Sequence, residues 1–99
     1  MSKRDTKQLR AIGHKLKPVV TVAGKGLSET VLGELERALG DHELIKVKLV
    51  VGDKDARDAV TAEITRATGA EVIQNIGNVL LLLRRSKEPD PRLSNLLRY

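Results

Sequence analysis

The sequence Val19-Val20-Thr21-Val22-Ala23-Gly24-Lys25-Gly26-Leu27-Ser28 joins a strand, a glycine turn and the start of a helix. Its β-branched first half favours a pleated strand. The two glycines on either side of one lysine allow a sharp turn and close approach of another molecule to the backbone. Ser28 is a suitable cap for the helix that follows. The pattern predicts backbone N–H groups and a cation at a helix N-terminus, an arrangement that binds phosphate. The alternative is a turn whose glycines only make the corner.

Length and composition restrict the class of protein. The chain has 99 residues, enough for one domain, with 40% hydrophobic and 31% charged side chains, as is typical of a globular protein. It contains no cysteine, which excludes disulfide and zinc–thiolate chemistry. The sequence has no apolar signal core and no run of membrane-spanning length. We expect a cytoplasmic monomer that binds no membrane, metal, cofactor or small-molecule substrate.

The positive charge is concentrated at the two ends of the chain. Residues 1–17 contain six cations and one acid, and residues 84–99 contain five cations and two acids. The span between them contains seven cations and ten acids, and the whole chain has a net charge of +5. Such segregation indicates a polyanionic partner, although two solvated basic ends would have the same composition.

Aromatic content indicates which polyanion to expect. Tyr99 is the only aromatic residue among Phe, Trp and Tyr in the sequence. Proteins that bind unstructured single strands stack bases on such side chains. If the ligand is RNA, binding must therefore depend on phosphate contacts and on the shape of a folded RNA.

Hydrophobic spacing predicts three helices and four strands in the order α-β-α-β-α-β-β. The helices are expected over residues 5–16, 29–39 and 55–68, and the strands over residues 19–23, 44–51, 71–76 and 79–84. Gly13 is expected to weaken the first helix or end it early. Gly40 and Gly69 are the predicted ends of the second and third helices. Gly77-Asn78 is the predicted turn of a terminal hairpin. The last strand lacks polar alternation, so we expect it to be central and covered on both faces.

These elements predict a two-layer α/β domain with a four-stranded mixed sheet over residues 1–85. The predicted core contains Val31, Leu35, Leu39, Val47, Val60, Ile64 and Leu81. In the second strand Lys46 and Lys48 alternate with apolar residues, so their face is open to water or to a polyanion. Residues 86–99 are expected to form a flexible basic tail, within which three leucines could make a short docking helix.

Candidate catalytic residues form no recognisable pattern. The histidines His14 and His42 have no metal-ligand spacing, and Asp53, Asp55 and Asp58 lie where a helix starts, so capping explains them. No phosphate-binding motif of nucleotide hydrolases is present. We expect the protein not to be an enzyme.

Three segments together resemble the CRM (chloroplast RNA splicing and ribosome maturation) domain family, in particular its free-standing bacterial YhbY-type members. These segments are Leu16-Lys17-Pro18-Val19-Val20 with the glycine turn, Leu27-Ser28-Glu29, and His42-Glu43-Leu44-Ile45-Lys46-Val47-Lys48. The resemblance spans about residues 5–85. It implies a fold similar to the C-terminal domain of translation initiation factor three, and RNA binding through a GxxG loop. It also implies a role on ribosomal RNA of the large-subunit precursor during ribosome assembly.

The loop departs from the family's usual Gly-Lys-x-Gly, since this chain has Ala23-Gly24-Lys25-Gly26. Because alanine rarely adopts positive φ, we expect Gly24 to take the unusual dihedral and the loop to be altered but functional. The candidate RNA-binding residues are Gly24, Lys25, Gly26, Ser28, Lys3, Arg4, Lys7, Arg10, Lys17, Lys46, Lys48, Arg84 and Arg85. The alternative function is that of a protein-interaction adaptor on ribosomal or other assemblies, without direct RNA contact.

Overall fold

The structure, a computed structural model, describes residues 6–24 and 26–98. The helices are α1 (Thr6–Gly13), α2 (Glu29–His42), α3 (Lys54–Thr68) and α4 (Asn95–Arg98), and the strands are β1 (Pro18–Ala23), β2 (Leu44–Val50), β3 (Glu71–Ile76) and β4 (Val79–Leu83). The sheet has the order β1-β2-β4-β3, with β1 and β2 parallel and the other two pairs antiparallel. The predicted α/β class, element order and mixed sheet are confirmed.

The two longest helices begin and end with local signals that the sequence contains. The Ser28 hydroxyl accepts a hydrogen bond from the Val31 N–H at 3.2 Å, and Asp53 accepts one from the Ala56 N–H at 3.0 Å. Each bond satisfies one of the N–H groups that a helix leaves unpaired in its first turn. Gly69 ends α3 with a left-handed φ of +73°, as predicted.

The predicted end of the second helix at Gly40 is wrong. The helix α2 continues to His42, and Glu43 is its C-cap with φ +63°. The Glu43 N–H donates to the Leu39 carbonyl at 2.9 Å, and the Glu43 carbonyl accepts from the Arg84 N–H at 2.8 Å. These contacts fix the helix end at Glu43, a residue that rarely adopts positive φ. The first helix ends at Gly13, the residue expected to weaken it or end it early.

The sheet is covered on both faces, by different helices. A larger core lies between the sheet and the helices α2 and α3, and includes Leu35, Leu39, Val47, Val60 and Ile64. A smaller core on the opposite face joins α1 and α4 to the sheet. The predicted two-layer arrangement corresponds to the larger core, and α1 with α4 adds a partial layer. Of the other residues predicted for the core, Leu81 is buried in the smaller core and Val31 is half-buried against the larger one.

The strand β4 is central, as predicted. Leu80 and Leu82 belong to the larger core, whereas Leu81 and Leu83 belong to the smaller one. Alternate residues of a strand point to opposite faces, so a strand that is covered twice must be apolar throughout.

Residues 86–98, which we call the C-terminal segment, contain a short helix. The leucines of this part of the sequence indicate that such a helix could form. Ser94, Asn95 and Leu96 are buried, and Leu96 packs in the smaller core. The expected division of the chain at residue 85 stays a prediction. In the described ranges no helix is both long and apolar enough to cross a membrane.

Candidate nucleic-acid interface

One side of the sheet is only partly covered and carries the lysines of β2. In the parallel register Thr21 lies beside Lys48, and Ala23 lies beside Val50. Lys48 is exposed, Lys46 is partly exposed, and 50% of the Val50 surface is accessible. We call the surface formed by Thr21, Lys46, Lys48 and Val50 the lysine face. The predicted open face of the second strand is confirmed.

The helix α1 lies on the same side of the sheet and adds further cations. Leu9 and Ile12 are buried in the smaller core, while Lys7 and Arg10 are exposed. Lys17, also exposed, immediately precedes β1, and Pro18 pairs with Lys46. The structure therefore places Lys7, Arg10 and Lys17 on the side of the lysine face. Lys3 and Arg4 lie outside the described residues.

Charge differs sharply between the two sides of the sheet. The elements α1, β1 and β2 contain four cations and no acid, whereas α2 and α3 contain seven acids and four cations. A polyanion would therefore be attracted to the lysine face and repelled by the acidic helices behind it. Positive and negative side chains, which are unevenly distributed along the sequence, are thus unevenly distributed between the two sides of the sheet in the fold.

The glycine loop, residues 23–28, lies at the carboxyl end of β1, next to one end of the lysine face. Gly24 has φ +67°, as expected from Ala23 at the preceding position, and Gly26 has φ +111°. A Cβ added to Gly24 would meet nothing within 4 Å, so the backbone there is accessible to a ligand. Its N–H groups adjoin the start of α2, where Ser28 is exposed. Lys25 lies outside the described residues.

Arg84 is placed differently from the other candidate cations. Its guanidinium donates to Glu36 Oε1 at 2.8 Å, to the Thr68 carbonyl at 3.1 Å and to the Glu36 carbonyl at 3.2 Å. It therefore joins α2 to the end of α3, on the side opposite to the lysine face. Arg85 is exposed. Counting charges along the sequence does not distinguish Arg84 from the exposed cations, because an ion pair between distant residues leaves no trace in the neighbouring sequence.

Four side chains that the sequence analysis did not select join Lys17 and Lys46 around a cleft of about 230 Å³. They come from the linker between α1 and β1, the end of α2 and the C-terminal segment, and they are Lys15, His42, Asn95 and Arg98. Lys15 and Arg98 were counted in the basic ends of the chain. Nothing in the spacing of the sequence indicates that the last residues lie beside the start of β2.

Comparison with known proteins identifies relatives over the whole chain. The chain is 46% identical over 99 residues to a protein of Pseudomonas aeruginosa named as a probable RNA-binding protein, covering 100% of this chain and 95% of the relative. It is 44% identical over 91 residues to a Haemophilus influenzae protein named as an RNA-binding protein, covering 89% and 92% of the two chains.

A solved structure supports the fold independently. The solution structure of a Staphylococcus aureus protein, described as a proposed RNA-binding protein, has a TM-score of 0.74 and 28% identity to this chain. The similarity covers 84% of this chain and 86% of that one. Residues 1–84 match the family described as the CRS1 / YhbY (CRM) domain. The chain therefore belongs to the CRS1 / YhbY (CRM) domain family.

Proposed function

We propose that this protein binds structured RNA on the lysine face, with the glycine loop at one end of the contact and the cations of α1 beside it. The observation that carries this proposal is the concentration of cations, without acids, in α1, β1 and β2, on the open side of a sheet whose other side is covered by the acidic helices α2 and α3. One bacterial relative is named as a probable RNA-binding protein and another as an RNA-binding protein. Binding rather than catalysis is the role that these features favour.

The chemistry of the surface favours contacts to phosphate. Lysine meets phosphate as a point charge and does not discriminate between bases. The described ranges contain no Phe, Tyr or Trp, so the large rings on which single-stranded bases usually stack are missing there. Recognition would then depend on the spacing of phosphates in a folded RNA, and affinity would fall steeply as salt rises.

We further propose that the RNA is ribosomal RNA of the large-subunit precursor, and that the protein acts in ribosome assembly in the cytoplasm as a monomer. The support for the ribosomal role is the family resemblance. Cross-linking in cell extract, followed by sequencing of the attached RNA, tests it. Enrichment of large-subunit precursor RNA is the expected result. Recovery of other structured RNAs would reject the ribosomal role alone, and recovery of no RNA would reject RNA binding.

A second candidate function, docking to another protein, is favoured by exposed apolar side chains. Val19, Val50 and Ile76 have accessible fractions of 52%, 50% and 62%. Apolar association survives moderate salt, whereas phosphate-dominated binding does not. If the protein still bound ribosomal particles at a salt concentration that releases purified RNA from it, this second function would be favoured.

A further inference from the structure

We propose that the C-terminal segment completes a second phosphate-binding subsite, at the end of the lysine face away from the glycine loop, and that Glu43 holds the segment there. The inference rests on the proposed RNA-binding function and deepens it. The ligand is the sugar–phosphate backbone of the same RNA. Three sets of observations lead to this proposal: the anchoring of the segment, the charge of the cleft and its position in the fold.

Glu43 is the centre of the anchor. One carboxylate oxygen accepts a hydrogen bond from the Ser94 hydroxyl, and the other accepts one from the Ser86 N–H, both at 2.6 Å. Glu43 and Ser94 are buried, with 3% and 0% of their surfaces accessible. A buried carboxylate is costly unless it is hydrogen-bonded. The two serines at the beginning and near the end of the C-terminal segment meet this requirement.

The backbone of Glu43 supports the same conclusion. Among the described residues it is the only one other than glycine with positive φ. Glycine would adopt this conformation without strain, but it would lack the carboxylate. The fold therefore keeps a strained glutamate at the position where a side chain can reach the C-terminal segment.

Residues on both sides of Glu43 hold the segment as well. The His42 Nδ1 lies 2.8 Å from the Leu93 carbonyl oxygen, and since a carbonyl can only accept, Nδ1 carries the proton. The Asn95 side-chain amide donates to the Leu44 carbonyl at 2.7 Å. Three successive residues of the α2–β2 junction thus contact the C-terminal segment. This attachment places α4 beside the amino end of β2.

The cleft that results is strongly basic. Four cations line it, namely Lys15, Lys17, Lys46 and Arg98. Among the described residues that line the cleft there is no acid. Two of the cations come from the linker between α1 and β1, one from β2, and one from α4. Convergence of cations from separate elements on one concave surface is suited to a phosphate, since a lysine supplies a point charge and an arginine a planar pair of donors.

The position of the cleft relates it to the glycine loop. Lys17 and Lys46 lie at the amino end of β1, whereas the glycine loop follows its carboxyl end. The six residues of β1 separate the two sites by roughly 17 Å at the usual strand rise. Lys46 and Lys48 form a row between them along β2. One RNA backbone could therefore contact the glycine loop, the lysine face and the cleft together.

The first test is Arg98→Gln in the full chain, with Arg92→Gln as the matched control. Arg92 belongs to the same segment, is exposed, and does not line the cleft. Titration of a labelled stem-loop RNA at several salt concentrations should give a roughly threefold or larger loss of affinity for Arg98→Gln, and a salt slope lower by about one. Arg92→Gln should match the wild type. Equal binding by Arg98→Gln and the wild type would overturn the subsite while leaving the proposed function intact.

The second test addresses the anchor. Ser94→Ala removes the hydroxyl that donates to Glu43, so it should release the segment and reproduce the loss seen with Arg98→Gln. In the double variant the two losses should not add, because both act on the position of one cation. The Asn95 side-chain amide signal reports on the cleft directly and should shift when RNA is added to the wild type.

The outcomes distinguish failure of the proposed subsite from failure of the proposed RNA-binding function. An unshifted Asn95 signal in a wild-type protein that binds RNA would overturn the subsite alone. Absence of RNA binding by the wild type would overturn the proposed function and the subsite with it. Should Ser94→Ala fail to fold, as circular dichroism would reveal, the Arg98→Gln titration and the Asn95 signal still decide the question.

Discussion

The Arg84 guanidinium lies 2.8 Å from Glu36 Oε1, in an ion pair that joins the residue following β4 to the helix α2. The same guanidinium donates to the Thr68 carbonyl at the end of α3. Only 28% of its side-chain surface is accessible. Arg84 thus contributes to the acidic side of the sheet as a structural link, although the sequence groups it with the cations expected to bind RNA.

We expect Arg84→Gln to lower stability and to leave RNA affinity nearly unchanged. The substitution removes donors to a carboxylate and to two carbonyls, and a loss of about 1–3 kcal/mol in the free energy of unfolding is the expected cost. Chemical denaturation measures this loss, and titration with a stem-loop RNA measures affinity. An Arg84→Gln variant with unchanged stability and weakened RNA binding would indicate that Arg84 contacts RNA.

Lys48→Gln should have the opposite effect. Lys48 is exposed on the lysine face, so its loss should leave the denaturation midpoint unchanged. RNA affinity should fall by about tenfold or less, similarly for different RNA sequences, because a phosphate contact carries no base information. Unchanged affinity across the salt range would indicate that the lysine face is merely solvated.

Gly40→Ala should stabilise the protein by about 0.5–1 kcal/mol, because alanine replaces glycine in the interior of a helix. A Cβ at this position would meet nothing within 4 Å. Gly33→Ala, also within α2 and also unobstructed, is the matched positive control. Gly69→Ala should destabilise, since Gly69 has φ +73°. A destabilised Gly40→Ala would mean that α2 ends at Gly40 after all.

Leu35→Ala should lower the free energy of unfolding by about 2–5 kcal/mol through the cavity it leaves. Leu35 is fully buried, with 0% of its surface accessible, and lies in the larger core. Denaturation by urea measures the change. A midpoint equal to that of the wild type would mean that this face of α2 does not pack against the sheet.

Gly24→Asp should abolish most RNA binding, and Gly24→Asn should reduce it much less. The two side chains have nearly the same shape and both tolerate positive φ better than other residues do. Only the aspartate adds a negative charge where a phosphate is expected. Gly77→Asp, at an exposed turn with φ +58°, controls for charge added elsewhere. Equal RNA binding by Gly24→Asp and Gly24→Asn would mean that no phosphate approaches the glycine loop.

The sequence was sufficient for most of the fold, because the relevant signals are local. Alternation in β2, the uniform run in β4, and the caps at Ser28, Asp53 and Gly69 each depend on a few neighbouring residues. These signals decide which segments form elements and which face of each element is buried. The lysine face follows from them, since alternation alone separates Lys46 and Lys48 from the core.

The features that the sequence did not predict depend on contacts between distant segments. Gly40 has the chemistry of a helix end, but α2 ends at Glu43, whose backbone bonds to Leu39 and Arg84 and whose carboxylate reaches Ser86 and Ser94. For the same reason the position of Arg98 near β2 has no local signal. The link from Arg84 to α2 and α3 likewise appears only when the chain is folded.

The central claim, that RNA binds on the lysine face, is tested most directly by mapping amide NMR shifts during titration with a stem-loop RNA. We expect the signals of Thr21, Gly24 and Lys48 to move first and furthest. Glu63 and Arg66, on the opposite side of the sheet in α3, should keep their positions. Shifts that cluster on α2 and α3 while Thr21 and Lys48 stay unchanged would contradict the account.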